Sequence, residues 1–484
     1  MRVLLLAPPW GEVYGRFRSL TRSLNLNPPL NLAWLTACAN AHGHEVLIQD
    51  LEFAPRGDAP IRTLFHEFRP DVVGLTVTSP LVPVIARLAR LAREARLRVI
   101  VGGPHATLVR HQCFDDIPDA DDVMIGEGEE NFVEYLNRLR DGRDLAGIPG
   151  LLVRGETDGG ESDPPIVKDL ESIPDPVYPG INFRNYLWSV KGRAKVPTQT
   201  IMSSRGCPYQ CVFCSIEFLT GRSVRFRSAE RVAEEMTRSI RERPVRHFVF
   251  VDDVMTLNKR RVHALCDRLI ADRLPETASW EADTRADAVD GELLAHMAAA
   301  GCRRINFGIE SGDIEVLKGL NKRLELPRVV EALRMAKDAG MDTRGTAMIG
   351  NPGDTRDTID RTITFLRDLP NLDQPYLSIA QPYPGTRLRD IALSGSSNLR
   401  VERDALAEMR RYGSSVMFVG DISPREMEAL QRKSIFRMYL RPRRIWYNLT
   451  RTSLLDGFRL ALGLLAGVLI PEKKESAPAL ARSC

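Results

Sequence analysis

Short apolar runs alternate with longer amphipathic segments in two separate blocks of this 484-residue chain, with a proline-rich break between them. Strands that alternate with helices read as βαβ units, because each helix returns the chain to begin another strand parallel to the last. In the first block the pattern predicts strands over Arg2–Leu6, Glu45–Gln49, Asp71–Val77, Arg98–Val101 and Asp122–Ile125. Helices are predicted over Asn31–Ala41, Ile85–Ala95 and Glu130–Leu139. Five such strands predict an α/β domain over residues 1–145, doubly wound in the flavodoxin-like (Rossmann-type) manner.

Residues 146–197 lose that rhythm. Pro149, Pro164, Pro165, Pro174, Pro176 and Pro179 accompany the stretch GETDGGESD, which predicts a linker or an extended wrapping arm. The alternation resumes with predicted strands over Thr198–Ser203, His247–Val251, Ser279–Asp283, Arg304–Ile309, Thr343–Ile349 and Tyr376–Gln381. Helices are predicted over Ala229–Arg241, Lys259–Ala271, Gly291–Ala300, Pro327–Ala339 and Asp357–Leu366. Pro327 suits a first helical position and Gly340 a C-terminal cap. Six βα units predict a partial (β/α)6 TIM-type barrel over 198–394, with its chemistry on the loops after the strands. The remainder, 395–484, reads as helical and Arg-rich, ending in an apolar tail.

The chain opens MRVLLLAPPW, where Pro8 and Pro9 cut off a short apolar run. That predicts a buried first strand rather than a secretory signal. No stretch reaches the roughly 20 apolar residues that a membrane-spanning helix needs. A net charge of +4 on this length gives no reason to expect a nucleic-acid partner. Of eight cysteines, five are scattered singly and three fall within eight residues, which is no disulfide framework and places the chain in a reducing cytoplasm.

Those three lie in SSRGCPYQCVFCS as Cys207-x3-Cys211-x2-Cys214, directly after the first predicted barrel strand. Iron–sulfur clusters need thiolates, and short spacings let one loop wrap one cluster. Three thiolates hold three irons of a cubane and leave the fourth open, the usual mark of a catalytic metal centre. The alternative is structural zinc, which would want a fourth ligand. The nearest downstream candidates, His247 and Cys266, stand at no usual spacing.

Other chemistry-bearing residues recur at strand ends. Asp252 and Asp253 end HFVFVDD, Glu310 ends NFGIE, and Gly350 and Asn351 open the loop after MI. In the first domain, Ser79 follows the third strand. Gly102, Gly103, Pro104 and His105 follow the fourth, and Gly126, Glu127, Gly128 and Glu129 follow the fifth. Glycines just after a strand let a ligand approach backbone N–H groups. GEGEEN is no dinucleotide fingerprint, however, and no GKS or GKT loop is present.

The cysteine triplet, with aromatic Phe213 before its last member, resembles the radical S-adenosylmethionine (SAM) superfamily, over roughly Thr198–Thr386. That resemblance implies a [4Fe–4S] cluster on Cys207, Cys211 and Cys214, whose open iron chelates SAM and whose reductive cleavage yields a 5′-deoxyadenosyl radical. It implies SAM contacts from Phe213, Asp252 and Asp253 (amino group), Glu310 (ribose), and Gly350 and Asn351 (adenine).

Together with GGPHAT and GEGE, the chain resembles the cobalamin-binding subfamily, which includes anaerobic magnesium-protoporphyrin ester cyclase-like and hopanoid-associated members. Cobalamin contacts are then implied for Ser79, Gly102, Gly103, Pro104, His105, Gly126, Glu127, Gly128 and Glu129. The D-x-H-x-x-G motif that supplies a cobalt-ligating His elsewhere is absent. Methylthiotransferases share the layout but carry a second cluster, for which this domain offers only Cys38 and Cys113.

The implied activity is methylation of an unactivated carbon in a hydrophobic lipid or tetrapyrrole, with a flavodoxin- or ferredoxin-type electron donor. Cyclisation or C–C bond formation is the alternative reaction. A non-catalytic cobalamin or redox sensor is the alternative of another class, and the intact triplet argues against it. No general base stands out. Residues 432–451 carry seven Lys or Arg among Phe436, Tyr439, Trp446 and Tyr447, followed by LALGLLAGVLI at 460–470. Such a pairing suits peripheral contact with an anionic membrane, or a helix packed on the barrel with a solvated Arg face.

Overall fold

The computed structural model describes residues 1–14, 26–155, 163–188 and 195–449. Most of GETDGGESD and all of the apolar 460–470 segment lie outside the described residues. In the first domain the strands are β1 (Arg2–Ala7), β2 (Glu45–Asp50), β3 (Val72–Thr76), β4 (Arg98–Gly102), β5 (Asp122–Met124) and β6 (Leu151–Val153). They form one sheet in the order β2-β1-β3-β4-β5-β6. The first five are parallel and ordered as in a flavodoxin-like fold. Val3, Leu4, Leu5 and Leu6 are at most 1% exposed, because helices cover both faces of a parallel sheet.

The stretch 146–197 is more than a linker. β6 closes the sheet antiparallel to β5. β7 (Leu187–Trp188) pairs antiparallel with β8 (Val196–Ile201), and between them the arm wraps the first domain. Glu127 N donates to Pro165 O (2.8 Å), Val177 N to Ala33 O and Ile48 N to Pro179 O.

The barrel continues through the short antiparallel pair β9 (Ser204–Arg205) and β10 (Arg225–Phe226). Its remaining strands are β11 (His247–Phe250), β12 (Ser279–Thr284), β13 (Cys302–Glu310), β14 (Asp342–Ile349) and β15 (Gln374–Ile379). β8 and β11 to β15 are all parallel, and the sheet runs β15-β14-β13-β12-β11-β8-β7. This is the open, partial barrel that six βα units predict. Side-chain direction alternates along each strand. On β12, Trp280 points outward, its Nε1 donating to Ala300 O beneath the covering helix, so Glu281 and Asp283 point into the lumen.

The C-terminal region is not wholly helical. β16 (Leu399–Val401) and β17 (Met417–Val419) form an antiparallel pair before the helices Pro424–Tyr439 and Pro442–Leu449. The first of these lies along β15. Gln431 Nε2 donates to Leu377 O (2.9 Å) and Tyr439 Oη to Pro375 O (2.9 Å), so this segment seals the free edge of the barrel.

Candidate active site

The loop that carries the three cysteines is held from both flanks. Cys207 N donates to Gly221 O and Val212 N to Leu320 O, while Asn321 Nδ2 donates to Gln210 O (3.0 Å). Gly206 has φ +97°, and a Cβ there would sit 2.5 Å from Ser223 O, so only glycine admits this approach. Cys207, Cys211 and Cys214 are half-buried free thiols near enough to influence one another's ionisation. Burial pushes all three up, Cys214 to about 12. A thiolate there therefore depends on the positive charge of a metal.

Among the described residues, no three His, Cys, Asp or Glu side chains converge to hold a single ion. His247 is instead buried at the foot of β11 between Ser279 and Glu281, and Cys266 is buried in the helix Lys259–Ala271. The donor set fits a cluster of several irons better than zinc.

The two aspartates after β11 have different jobs. Asp252 is 3% exposed and accepts from Ser203 N (2.8 Å), Ser203 Oγ (2.5 Å) and Ser204 Oγ (2.6 Å). It buttresses the turn into the cysteine loop and has little capacity left for a ligand. Asp253 is half-buried beside Cys207 and Cys214, accepts from Gly206 N, and is pushed up to about 6 by burial and by the Asp252 carboxylate. Of the pair, Asp253 is the one able to meet an ammonium.

Glu310 ends β13 at φ +68°, a left-handed conformation costly for a residue with a Cβ. Its Oε1 accepts from Lys322 Nζ (2.9 Å), and Gly308 makes room for that pair. Arg285, just past β12, stacks over Tyr209 of the cysteine loop (3.9 Å) and donates to Lys322 O (2.8 Å). Phe213 packs against the core. Gly350 and Asn351, the expected adenine contacts, form a turn braced from within. Their N–H groups donate to Asp354 Oδ2 at 2.9 and 2.8 Å, and a Cβ on Gly350 would face Met427 and Val419.

Between the two domains lies a cavity of about 480 Å³. Gly102, Gly103, Pro104, Gly126, Glu127, Gly128 and Glu129 line one side, and Met202, Arg205, Ile216, Leu219, Thr220 and Val251 line the other. Cβ atoms on Gly103 and Gly126 would meet Thr76 and Val77, and Pro165, respectively, so the chain packs closely behind these two cavity-lining glycines. Glu127 and Glu129 line the cavity but are held by arginines: Arg205 reaches Glu127 at 3.1 Å and Glu129 at 2.5 Å, and Arg225 reaches Glu127 at 2.6 Å. Arg205 also stacks over Trp34 (4.6 Å). This network ties the first domain to β9 and β10, beside the cysteine loop.

Ser79 and His105 lie outside the cavity lining. His105 is 1% exposed, with Nδ1 on Ser79 Oγ (3.1 Å) and Nε2 on Asp116 Oδ2 (3.1 Å). Both ring nitrogens are committed, so the imidazole braces a loop. Arg205, Arg225, Arg285 and Lys322 escaped the sequence reading. Only the position of Arg205, two residues before Cys207, hinted at a part in the site.

An α/β domain whose strand-end loops share a cavity with residues flanking a three-cysteine loop, Arg205 and Ile216, is the layout of a radical SAM protein with a corrinoid-type partner domain. Residues 201–366 match the radical SAM superfamily and residues 20–136 the B12 binding domain. The chain is 32% identical over 455 residues to an uncharacterized methyltransferase of Pyrococcus horikoshii, covering 92% of this chain and 93% of that one. It thus belongs to the B12-binding radical SAM enzyme family. It is also 30% identical over 338 residues to the anaerobic magnesium-protoporphyrin IX monomethyl ester cyclase of Cereibacter sphaeroides, across 67% of this chain and 53% of that one. The fold resembles that of TsrM, a radical SAM methyltransferase from Kitasatospora setae solved with cobalamin and a [4Fe–4S] cluster. There the TM-score is 0.71 at 19% identity, over 93% of this chain and 90% of that one.

Proposed function

We propose that the chain is a cobalamin-dependent radical SAM methyltransferase acting on an unactivated carbon of a largely apolar substrate. The carrying observation is the shared cavity, bounded by strand-end loops of the B12-binding domain and by Ile216, two residues past Cys214. When bound, the cluster and SAM supply a carbon-centred radical for hydrogen abstraction, and methylated cobalamin supplies the methyl group.

The chain's own residues then hold and orient. Cys207, Cys211 and Cys214 would ligate three irons. Asp253 would pair with the SAM ammonium, and Glu310, fixed by Lys322, would accept from its ribose hydroxyls. The corrin would lie in the interdomain cavity against Gly102, Gly103, Pro104, Gly126 and Gly128. The Arg205–Glu127–Glu129 network keeps the two domains in register around it.

Apolar side chains such as Leu30, Leu32, Leu35, Met124, Phe132, Ile216 and Leu219 support a hydrophobic partner in that cavity. The same contacts serve an oxidative cyclase, and product mass separates the reactions because only methylation adds a CH₂ unit. Both reactions need an external electron donor of the flavodoxin or ferredoxin class.

Membrane contact through 432–449 rests on a ridge of exposed Leu440, Ile445 and Trp446, the last 70% exposed. Against it, Arg437, Arg441 and Arg443 pair with Asp360, Asp368 and Asp373, and Arg444 is buried against carbonyls of Leu366 and Met438. No helix among the described residues is long and apolar enough to cross a membrane.

Anaerobic reconstitution with iron, sulfide and hydroxocobalamin tests the assignment. About four irons and one cobalt per chain are expected. Iron without cobalt overturns the methyltransferase, and zinc in place of iron overturns the radical chemistry.

A further inference from the structure

The barrel lumen holds a carboxylate that nothing in the reaction so far accounts for. Asp283 is the exposed residue in a strand otherwise buried throughout, at the middle of the sheet with its side chain directed into the lumen. Its neighbour Glu281 is saturated: Arg304 reaches it at 2.7 Å, Arg344 at 3.5 Å and His247 at 3.3 Å. Among the described residues Asp283 has no such ion pair. The charged groups facing it are Glu281 on its own strand and Arg344 on β14. Arg344 is drawn aside, its guanidinium over Tyr376 (5.0 Å) and Trp188 (5.8 Å) and its Nε towards Gln374.

Across the register from Asp283 stands Asn306 on β13, whose Oδ1 is buried without a partner. The Asn306 amide N–H donates to the Asp283 carboxylate, which leaves Asn306 Oδ1 and the rest of the carboxylate's acceptor capacity facing one space without a donor. The buried Asn306 Oδ1 left unsatisfied costs free energy, and the carboxylate beside it accepts only, so a group that binds here is selected for donating hydrogen bonds.

We infer that Asp283, with Asn306, is the polar anchor of the substrate chamber and recognises a hydrogen-bond-donating head, an ammonium or a hydroxyl, on an otherwise apolar substrate. This rests on the reading of the barrel as the substrate chamber of a radical SAM enzyme. It narrows the substrate from hydrophobic in general to amphiphilic, with the donor end buried in the barrel. Desolvation inside the lumen pushes Asp283 up to about 6 against the pull of Arg344 and the hydrogen bond from Asn306, so the anchor is ionised at neutral pH and neutralised in mild acid.

The test uses the full-length protein reconstituted anaerobically with iron, sulfide, hydroxocobalamin and SAM, and titrates n-octylamine, 1-octanol and octanoate by calorimetry. Octylamine or octanol should bind at least about tenfold more tightly than octanoate, and Asp283→Asn should remove about that factor. Asp283→Glu, which restores the carboxylate, should recover most of it, and iron content with thermal unfolding reports that each variant is folded. Binding of octylamine should weaken as pH falls from 7 to 5. A preference for the amine assigns an ammonium head, and a preference for the alcohol a hydroxyl. Tighter binding of octanoate, equal binding to wild type and Asp283→Asn, or no binding of any probe overturns the inference. Cobalt counted on the same samples keeps the two failures apart. Asp283-dependent binding without cobalt sinks the methyltransferase alone, and a full cofactor complement without such binding sinks the anchor alone.

Discussion

The cysteine loop and the strand-end loops of the B12-binding domain both drew notice for residues able to bind something, yet they differ in how much bonding capacity remains. In the cysteine loop, the backbone is bonded from both sides while the three thiols stay free and half-buried. In the N-terminal loops the reverse holds: Glu127, Glu129, His105 and Ser79 are all spent on other side chains. A rigid frame around unspent ligands is the arrangement of a binding centre. Spent polar groups are architecture, and they shape a cavity without donating to its contents.

The sharpest way to break that contrast is to remove the unspent groups. Replacing Cys207, Cys211 or Cys214 by Ala should abolish iron incorporation and the formation of 5′-deoxyadenosine under strong reductant. Because the thiols carry only local backbone contacts, such as those from Tyr209 and Ile216, stability of the apoprotein should shift by no more than about 1 kcal/mol. Iron content, product assay and urea unfolding of the same variants check both halves. Large destabilisation would mean the loop is structural after all.

Removing a spent group should do the opposite. Arg205→Ala strands Glu129 without its cation at about 6% exposure and should cost about 3–5 kcal/mol. Glu129→Gln added to Arg205→Ala should return part of that loss, since the stranded charge is gone. Chemical denaturation of the four species of this double-mutant cycle measures it, and additive effects would deny the coupling.

A buried acid near the barrel mouth supplies a middle case. Asp354 accepts from Gly350 N, Asn351 N and Thr358 Oγ1, yet burial pushes it up to about 6. The folded state therefore holds this proton more tightly than the unfolded one. The contribution is present in full below about pH 4, the unfolded value, and is lost as pH rises towards 6. Relative to Asp354→Asn, the wild type should lose on the order of 3 kcal/mol between pH 4 and pH 7. Urea midpoints for both proteins across that range decide it, and a difference independent of pH would refute the shift.

These cases also show what can be read from order along the chain. The strands of the first sheet were legible because they are buried on both faces, which writes apolar runs such as Val3–Leu6 into the sequence. Barrel strands such as DTRGTAMI instead carry polar residues towards the lumen and were marked out by the helices between them. β6 and β7 were not, since strands of three and two residues held by backbone pairing leave no periodicity. The same holds for β16 and β17. The cysteines were legible because their ligands are close in sequence. The partners of Glu129 and Glu127 were not: Arg205 lies 76 residues away from the first and Arg225 98 residues from the second. Asp283 was passed over because an acid near a strand end looks like any other until its exposure in the lumen without an ion pair can be seen.

His105 is where the contrast is finest, because a histidine beside a corrinoid-type cavity invites the role of cobalt ligand. An axial ligand needs a free ring nitrogen, and here Nδ1 is on Ser79 and Nε2 on Asp116. Freeing either would leave a buried hydroxyl or a part-buried carboxylate unsatisfied, which costs about 1–3 kcal/mol before any bond to cobalt forms. His105→Ala should therefore destabilise the first domain by about that amount, while corrinoid affinity in the reconstituted protein changes less than about twofold. The paramagnetic resonance spectrum of the reduced corrinoid should be the same in both proteins. A spectrum that loses nitrogen hyperfine structure in the variant would place His105 on the metal, and would show that a spent residue can be recruited once the cofactor is present.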